Sequence, residues 1–272
     1  MKQVRRRQTF VRHLRRDLGI FLVTLVLGFP AFGQEYTATQ IIDKSVNNNT
    51  LGVKNAVMNV ILTLTSKRGS TRQRQIEIRS MEIKKLNKTL VRFHAPADVA
   101  GTGFLRLDTE DGDDEQYLFL PALGKVKRIS GSQRNQRFMG TDLTYADLES
   151  RELKDVNAKR LPDVEMAGKL VYVIEAIPKN LDDKDVQYGK TISWIHKKSF
   201  VPLKTEFYDK NLRLLKKLTV RKLEKKNGNW IAMDSVVTNV QRKTKTRLQI
   251  QDVQFDVKLG ANEFTQRALS GG

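Results

Sequence analysis

Apolar and polar residues alternate with a period of two along most of this chain. Val57 to Thr65 (VMNVILTLT) places Met58, Val60, Leu62 and Leu64 on one face and is rich in β-branched residues, the pattern of a half-buried strand. After a Lys67-Arg68-Gly69-Ser70 turn, Thr71 to Lys84 returns with Ile76 and Ile78 on one face and Met81 and Ile83 on the other. That change of parity predicts a bulge near Arg79-Ser80. Leu90 to His94 is a further strand, ending at Ala95-Pro96, and Pro96 to Gly101 reads as a bend or single helical turn. Gly103 to Thr109 and Glu115 to Leu120 pair across an acidic turn containing Asp111-Gly112. Lys169 to Ile177 (KLVYVIEAI) is apolar on both faces, and Thr191 to Lys197, Leu203 to Tyr208 and Leu212 to Glu224 follow it. An Asn227-Gly228 hairpin cue then leads into Trp230 to Gln241 and Arg247 to Lys258.

The 3.6-residue period appears only near the start. Thr37 and Gln40 form a capping-box pattern, with Ile41, Ile42 and Val46 behind them at helical spacing. This predicts a helix from Thr37 to Asn48, stopped by Asn47-Asn48-Asn49. Roughly ten to twelve strands at regular turn spacing define a mainly β protein, α+β only by minor helices. Its expected architecture is a strongly curved antiparallel sheet, or incomplete β-barrel, covered by short helices.

One stretch departs from the pattern. Tyr117 to Leu120 begins as a strand, breaks at Pro121 and re-extends as Lys125-Val126-Lys127-Arg128-Ile129. It then opens into a Gly-marked polar loop and ends in a short helix-like Tyr145-Ala146-Asp147-Leu148.

Charge changes the picture next. The chain has 272 residues and a net charge of +19, which implies an anionic partner or surface. Part of it sits in a basic N-terminal run (Lys2, Arg5 to Arg7, Arg12, Arg15, Arg16) followed by the apolar Leu18 to Phe29 and small residues at Ala31 and Gly33. These are the three regions of a secretory signal, residues 1–33, cut after Gly33 or retained as an anchor. The remainder, residues 34–272, reads as one domain and stays strongly basic. Export places it in the periplasm and moves the partner pool from nucleic acid toward anionic lipid surfaces and acidic proteins.

Candidate chemistry is sparse. With no cysteine there is no disulfide, thiolate metal site, Cys nucleophile or lipid-modified Cys. Gly101-Thr102-Gly103 lacks the third glycine of a dinucleotide fingerprint, and neither a P-loop nor G-x-S-x-G occurs. The three histidines (His13, His94, His196) have no metal spacing, and the acidic run from Asp108 to Glu115 lacks an EF-hand's spacing and reads as a solvated turn. Few aromatics interleave the basic residues, as single-strand nucleic-acid binding would need. No enzyme, cofactor or metal function is expected.

Tyr117 to Ala122, Lys125 to Ile129 and Arg137-Phe138-Met139-Gly140-Thr141-Asp142-Leu143-Thr144-Tyr145-Ala146-Asp147-Leu148 resemble the outer-membrane lipoprotein-sorting family of LolA-like periplasmic proteins. Gly101 to Leu105, Trp194-Ile195 and Val201-Pro202-Leu203 fit the same family, and the resemblance spans about Thr37 to Leu269. It implies an open barrel with an apolar cavity for acyl chains of lipoproteins or other lipids, and a soluble, monomeric carrier between the inner and outer membranes. An inner-membrane transporter and transient membrane contact are the implied partners. The alternative is a module without cargo that docks such a transporter, or an anionic envelope surface, through its basic face. Strand parity nominates Val60, Leu62, Leu64, Val91, Phe93, Leu118, Leu120, Val171 and Val173 as cavity wall, although parity alone does not separate a hollow from a filled core. Ile41, Ile42, Arg137, Phe138, Met139, Tyr145 and Leu148 are the expected lid or rim.

Overall fold

The computed structural model describes residues 35–47, 55–110, 114–149, 156–183 and 186–271. The expected signal (1–33), Asn48-Asn49 and the Asp111-Gly112 turn lie outside the described residues. Helix α1 (Ala38–Asn47) starts where the capping box sets it. The Thr37 amide donates to Gln40 Oε1 at 2.9 Å, and the Gln40 amide donates to Thr37 Oγ1 at 3.2 Å. Side chains thus satisfy backbone donors that a helix start leaves open.

Period-two alternation yields β1 (Ala56–Thr65), β2 (Thr71–Ile83), β3 (Leu86–Ala95), β4 (Gly103–Leu107), β5 (Glu115–Leu120), β6 (Lys125–Ile129), β7 (Val156–Met166), β8 (Lys169–Pro178), β9 (Lys190–His196), β10 (Pro202–Tyr208), β11 (Leu214–Lys226), β12 (Asn229–Asn239) and β13 (Thr244–Phe255). All 13 lie in one sheet, ordered β6-β5-β4-β3-β2-β1-β13-β12-β11-β10-β9-β8-β7. The sheet is two meanders that leave a central β1–β13 seam in opposite directions. An open twisted sheet of this width curls rather than staying flat. Because β6 and β7 are consecutive in the chain but occupy the two edges, the segment between them must pass from one side of the sheet to the other.

Cross-strand partners share a face. One row runs Met58, Ile78, Val91, Phe104, Leu118 from β1 to β5. Another runs Leu64, Thr246, Val237, Leu218, Thr205, Ser193, Ile174 from β1 through β13 to β8. Both belong to the inner face. The outer face carries its own apolar cluster of Leu90, Leu105, Tyr117, Phe264 and Leu269, with Met81 and Phe119 packed against it. The C-terminal helix α2 (Gln266–Leu269) supplies Leu269. Arg92 Nη1 donates to the Leu269 carbonyl at 2.7 Å, and Arg92 Nη2 donates to the Ala268 carbonyl. Gly103 permits this docking, since a Cβ there would meet Leu269 Cδ1 at 2.6 Å.

Two expectations are corrected. The strand number is 13 among the described residues because β7 escapes the period-two reading: Pro162 interrupts it, and Val164 beyond the proline is exposed. An edge strand tolerates such a proline, and the register shift between Leu161 and Val164 falls at it. Nor does a bulge occur at Arg79-Ser80, since β1 and β2 pair without a shift from Ala56–Ser80 to Thr65–Thr71. The register shift lies instead between Gln75 and Ile76, against β3. Met81 breaks parity because it points outward into the cluster that the C-terminal tail covers.

His196 lies on the outer side of β9, paired across the strands with Val171. Its Nδ1 is 2.8 Å from Ser199 Oγ and its ring meets Trp230 edge-on. Burial, then Lys169 and Lys198, hold its pKa below the ordinary histidine value. The folded chain therefore favours the neutral ring while the unfolded chain takes up a proton below about pH 6.5. Stability from this group is complete above that pH and falls as the pH drops through the folded pKa. Urea unfolding between about pH 7 and pH 5 should show that decline, with a smaller decline in His196→Gln. Phe264→Ala, which empties the outer cluster, should cost about 3–5 kcal/mol in the same assay.

Candidate functional site

The chain leaves β6 at Ile129 and enters the inner face through short 3-10 turns at Gly131–Asn135, Phe138–Gly140 and Ala146–Leu148. Gly140 takes a φ of 75°, which glycine adopts freely, and Met139 is also left-handed at 47°. Irregular backbone inside a protein needs its polar groups satisfied. Here Phe138 N donates to the Leu143 carbonyl at 2.8 Å and Arg137 Nε to the Thr141 carbonyl at 2.7 Å. Side chains of the sheet do the rest. Gln116 Nε2 donates to the Tyr145 carbonyl at 3.0 Å, Arg106 Nη1 to the Leu148 carbonyl at 2.9 Å, and Arg74 to the Met139 carbonyl.

Two buried carboxylates tie this crossing segment to the other half of the sheet. Asp142 accepts hydrogen bonds from Thr244 Oγ1 at 2.5 Å and Thr246 Oγ1 at 2.9 Å, both on β13. Asp147 pairs with the Lys216 ammonium on β11 and accepts from Tyr188 Oη at 2.7 Å and from the Thr144 amide at 2.7 Å. Lys216 is 2 % exposed. Its ammonium lies 5.1 Å from the ring centres of both Tyr188 and Phe207 and 3.3 Å from the Asp142 carbonyl oxygen. Charges so enclosed persist only when paired and hydrogen-bonded on several sides.

The crossing segment divides the inner face. On the β1–β5 side Phe138 and Tyr145 plug it: Phe138 contacts Phe93, Phe104 and Tyr145 at ring separations of 6.0, 5.1 and 5.5 Å. Burial pushes the Tyr145 phenol pKa up. On the β8–β12 side the same segment turns Leu143, Asp147 and Glu149 toward a cavity of about 240 Å³. Ile174, Ala176, Ser193, Thr205, Phe207, Leu218 and Val237 line its sheet side, and Ile42, Ser45 and Val46 of α1 cover it. Ile41 anchors that helix against Tyr172, Ile174 and Ile195. The wall is mostly apolar, with the Lys216–Asp147 pair and Glu149 as its charged elements.

The expected site residues are placed differently. Val60, Leu62, Val91, Phe93 and Leu118 do lie on the inner face, but in the filled cluster on the plugged side, with Leu64 and Leu120 packed against it. Val171 and Val173 point to the outer face, partnered by His196 and Trp194. Their strand is apolar on both sides, so parity selected the wrong one. None of the nine lines this cavity. Of the expected lid, Ile42 lines it and Ile41 holds the covering helix, while Phe138 and Tyr145 are buried plug residues and Met139 and Leu148 pack beside them. Arg137 braces its own loop through Thr141 and reaches Asp142 at 3.7 Å. Sequence reasoning missed Ala176, Ser193, Thr205 and Lys216. The available signal was the run of small or polar residues at inward strand positions, where large apolar ones would fill the space.

A single wide antiparallel sheet of this kind has counterparts among solved structures. A LolA superfamily protein from Nitrosomonas europaea matches it with a TM-score of 0.66 at 19% identity, over 86% of this chain and 100% of that one. A DUF1329 family protein from Desulfovibrio piger matches with a TM-score of 0.76 at 26% identity, over 86% and 100%. An outer membrane lipoprotein-sorting protein domain from Vibrio parahaemolyticus reaches a TM-score of 0.78 at 32% identity, over 86% of this chain and 98% of that one. A family model described as "Uncharacterized protein" matches residues 85–271. A search of curated proteins returns no match. The chain belongs to the outer-membrane lipoprotein-sorting family, and its fold is shared with the LolA superfamily protein.

Removing one member of a buried ion pair leaves the other charged and unsatisfied. Lys216→Met and Asp147→Asn should each lower unfolding free energy by about 3–5 kcal/mol. In a double-mutant cycle the combined variant should lose clearly less than the sum of the two.

Proposed function

We propose that this protein is a soluble periplasmic carrier that holds acyl chains of a lipoprotein or another lipid in the cavity beneath α1 and moves them between the inner and outer membranes. The observation that carries the reading is the hollow itself. The β1–β5 half of the inner face is filled by aromatic packing, whereas the β8–β12 half keeps an apolar space under a helix. Membership of the lipoprotein-sorting family supports the same reading. So does the basic, then apolar, leader, which fits export.

The physics of cargo is simple. Each methylene buried contributes about 0.8 kcal/mol, so even part of an acyl chain is held usefully. A cavity of about 240 Å³ is small beside the ~300–1,000 Å³ of ordinary ligand sites. Longer chains are accommodated by displacing α1, which is seated by Ile41 in its apolar notch and by Lys44 over the Phe200 ring at 5.3 Å, and is tethered through the preceding Tyr36, whose ring meets Phe200 at 5.5 Å and whose carbonyl accepts from Arg160 Nη1 at 3.1 Å. Capture and release then use one movable element against a rigid sheet. The role requires no bond-making chemistry.

Protein purified without detergent should carry lipid detectable by extraction and mass spectrometry. Ala176→Phe, which fills the cavity from β8, should lower that load about tenfold, by analogy with the loss of a few buried methylenes. A lipid-free wild type that also fails to take up a fluorescent fatty acid would sink the reading.

A further inference from the structure

Among the described residues six large apolar side chains are conspicuously exposed, and four of them stand at one end of the sheet. Leu181 (39 %) follows β8, Leu212 (56 %) sits between β10 and β11, and Val240 (39 %) sits between β12 and β13. Leu123 (65 %) lies farther along the same rim, between β5 and β6. The first three turns are tied side by side. Lys210 Nζ donates to the Asp183 carbonyl at 2.8 Å, and Gln241 Nε2 donates to Asp209 Oδ2 at 3.0 Å and to the Leu214 carbonyl at 3.2 Å.

Each apolar tip is flanked by exposed cations: Lys179 beside Leu181, Lys210 and Arg213 beside Leu212, Arg242 and Lys243 beside Val240. The neighbouring β1–β2 turn adds Lys67 and Arg68. The acidic groups of these turns among the described residues are Asp182, Asp183 and Asp209, and Asp209 is turned sideways into Arg213 and Gln241. The cavity reaches this end of the strands, although Ile195 and Pro202 line it at the other end of β9 and β10. Ala176, Thr191, Phe207 and Lys216 each stand within a few residues of one of these turns.

We propose that this rim is a membrane-docking edge, which seats the chain on an anionic phospholipid bilayer with Leu181, Leu212 and Val240 in the interface and the flanking Lys and Arg on the headgroups. Three separate apolar tips, each with an exposed cation beside it and two of them in net-basic turns, fit a fluid interface, which accepts each side chain independently and rewards cations beside anionic lipid. A rigid acidic protein would need one contiguous apolar core ringed by polar groups. The purpose of the contact, bringing the cavity end to the bilayer, rests on the carrier reading. The contact itself does not.

Sedimentation with vesicles of equal parts phosphatidylglycerol and phosphatidylcholine tests it, with pure phosphatidylcholine vesicles alongside. Wild type should bind the anionic vesicles and lose that binding as salt is raised. Leu181→Ser/Leu212→Ser/Val240→Ser and Arg242→Glu/Lys243→Glu should each weaken it at least about tenfold, with unchanged circular dichroism. Because the chain has no cysteine, Leu212→Cys can carry a single polarity-sensitive dye, which should shift to the blue on anionic vesicles. The same dye at Leu170→Cys, an exposed site at the opposite end of β8, should not. No preference for anionic vesicles, equal binding by the variants, or a shift at both dye sites would overturn the proposal, the first result assigning the rim to a protein. Lipid extracted from a chain that ignores vesicles would remove this inference alone. Vesicle binding by a chain that carries no lipid would remove the carrier reading alone.

Discussion

The passage of the chain from β6 to β7 governs the rest of the structure. These strands are neighbours in sequence and opposite edges in space, so the connection has to cross the sheet, and its described part, up to residue 149, lies on the inner face. There it would bury unsatisfied backbone and stray charge if the sheet did not receive it. Asp142 on the β13 threonines and Asp147 on Lys216 fix it from one side, and Arg74, Arg106 and Gln116 take up its carbonyls from the other. With the segment held, Phe138 and Tyr145 fill one half of the face, and the other half is left hollow.

The same arrangement explains why the hollow survives. A collapsed inner face would bury more apolar surface, and nothing in apolar packing alone keeps a space open. The Lys216–Asp147 pair sits where such a collapse would have to occur, and it keeps its position only while Tyr188 and Thr144 complete its hydrogen bonds. Ser193 and Thr205, 3.2 Å apart through their hydroxyls, are too small to reach across. Small inward residues and a fixed charge pair are together the physical reason that this half of the sheet encloses volume.

Much of the fold was legible in the sequence. Alternation located the strands apart from β7, and Thr37 with Gln40 set the start of α1. The motif from Arg137 to Leu148 was legible as a departure from the pattern, and its likeness to lipoprotein-sorting proteins pointed to the family. Its role was not legible. The partners that define that role, Thr244, Thr246 and Lys216, lie far along the chain, and no local pattern pairs a loop aspartate with a distant strand. The lining of the cavity was not legible for a related reason. Parity puts Phe93 and Leu118 on the correct face but does not say which half of that face is plugged. On β8, where Tyr172, Ile174, Val171 and Val173 are all buried, it does not even choose the face.

The central seam has a consequence for how the chain is assembled. Within each meander every strand pairs with its neighbour in sequence, so each closure spans a short loop and costs little entropy. The β1–β13 pairing, with Val60 opposite Ile250, is the long closure on which the two halves depend. A domain built this way concentrates its contact order in one place. Its first and last strands meet at the middle of the sheet, so both edges belong to strands from the interior of the sequence, each paired on one side, β6 with β5 and β7 with β8.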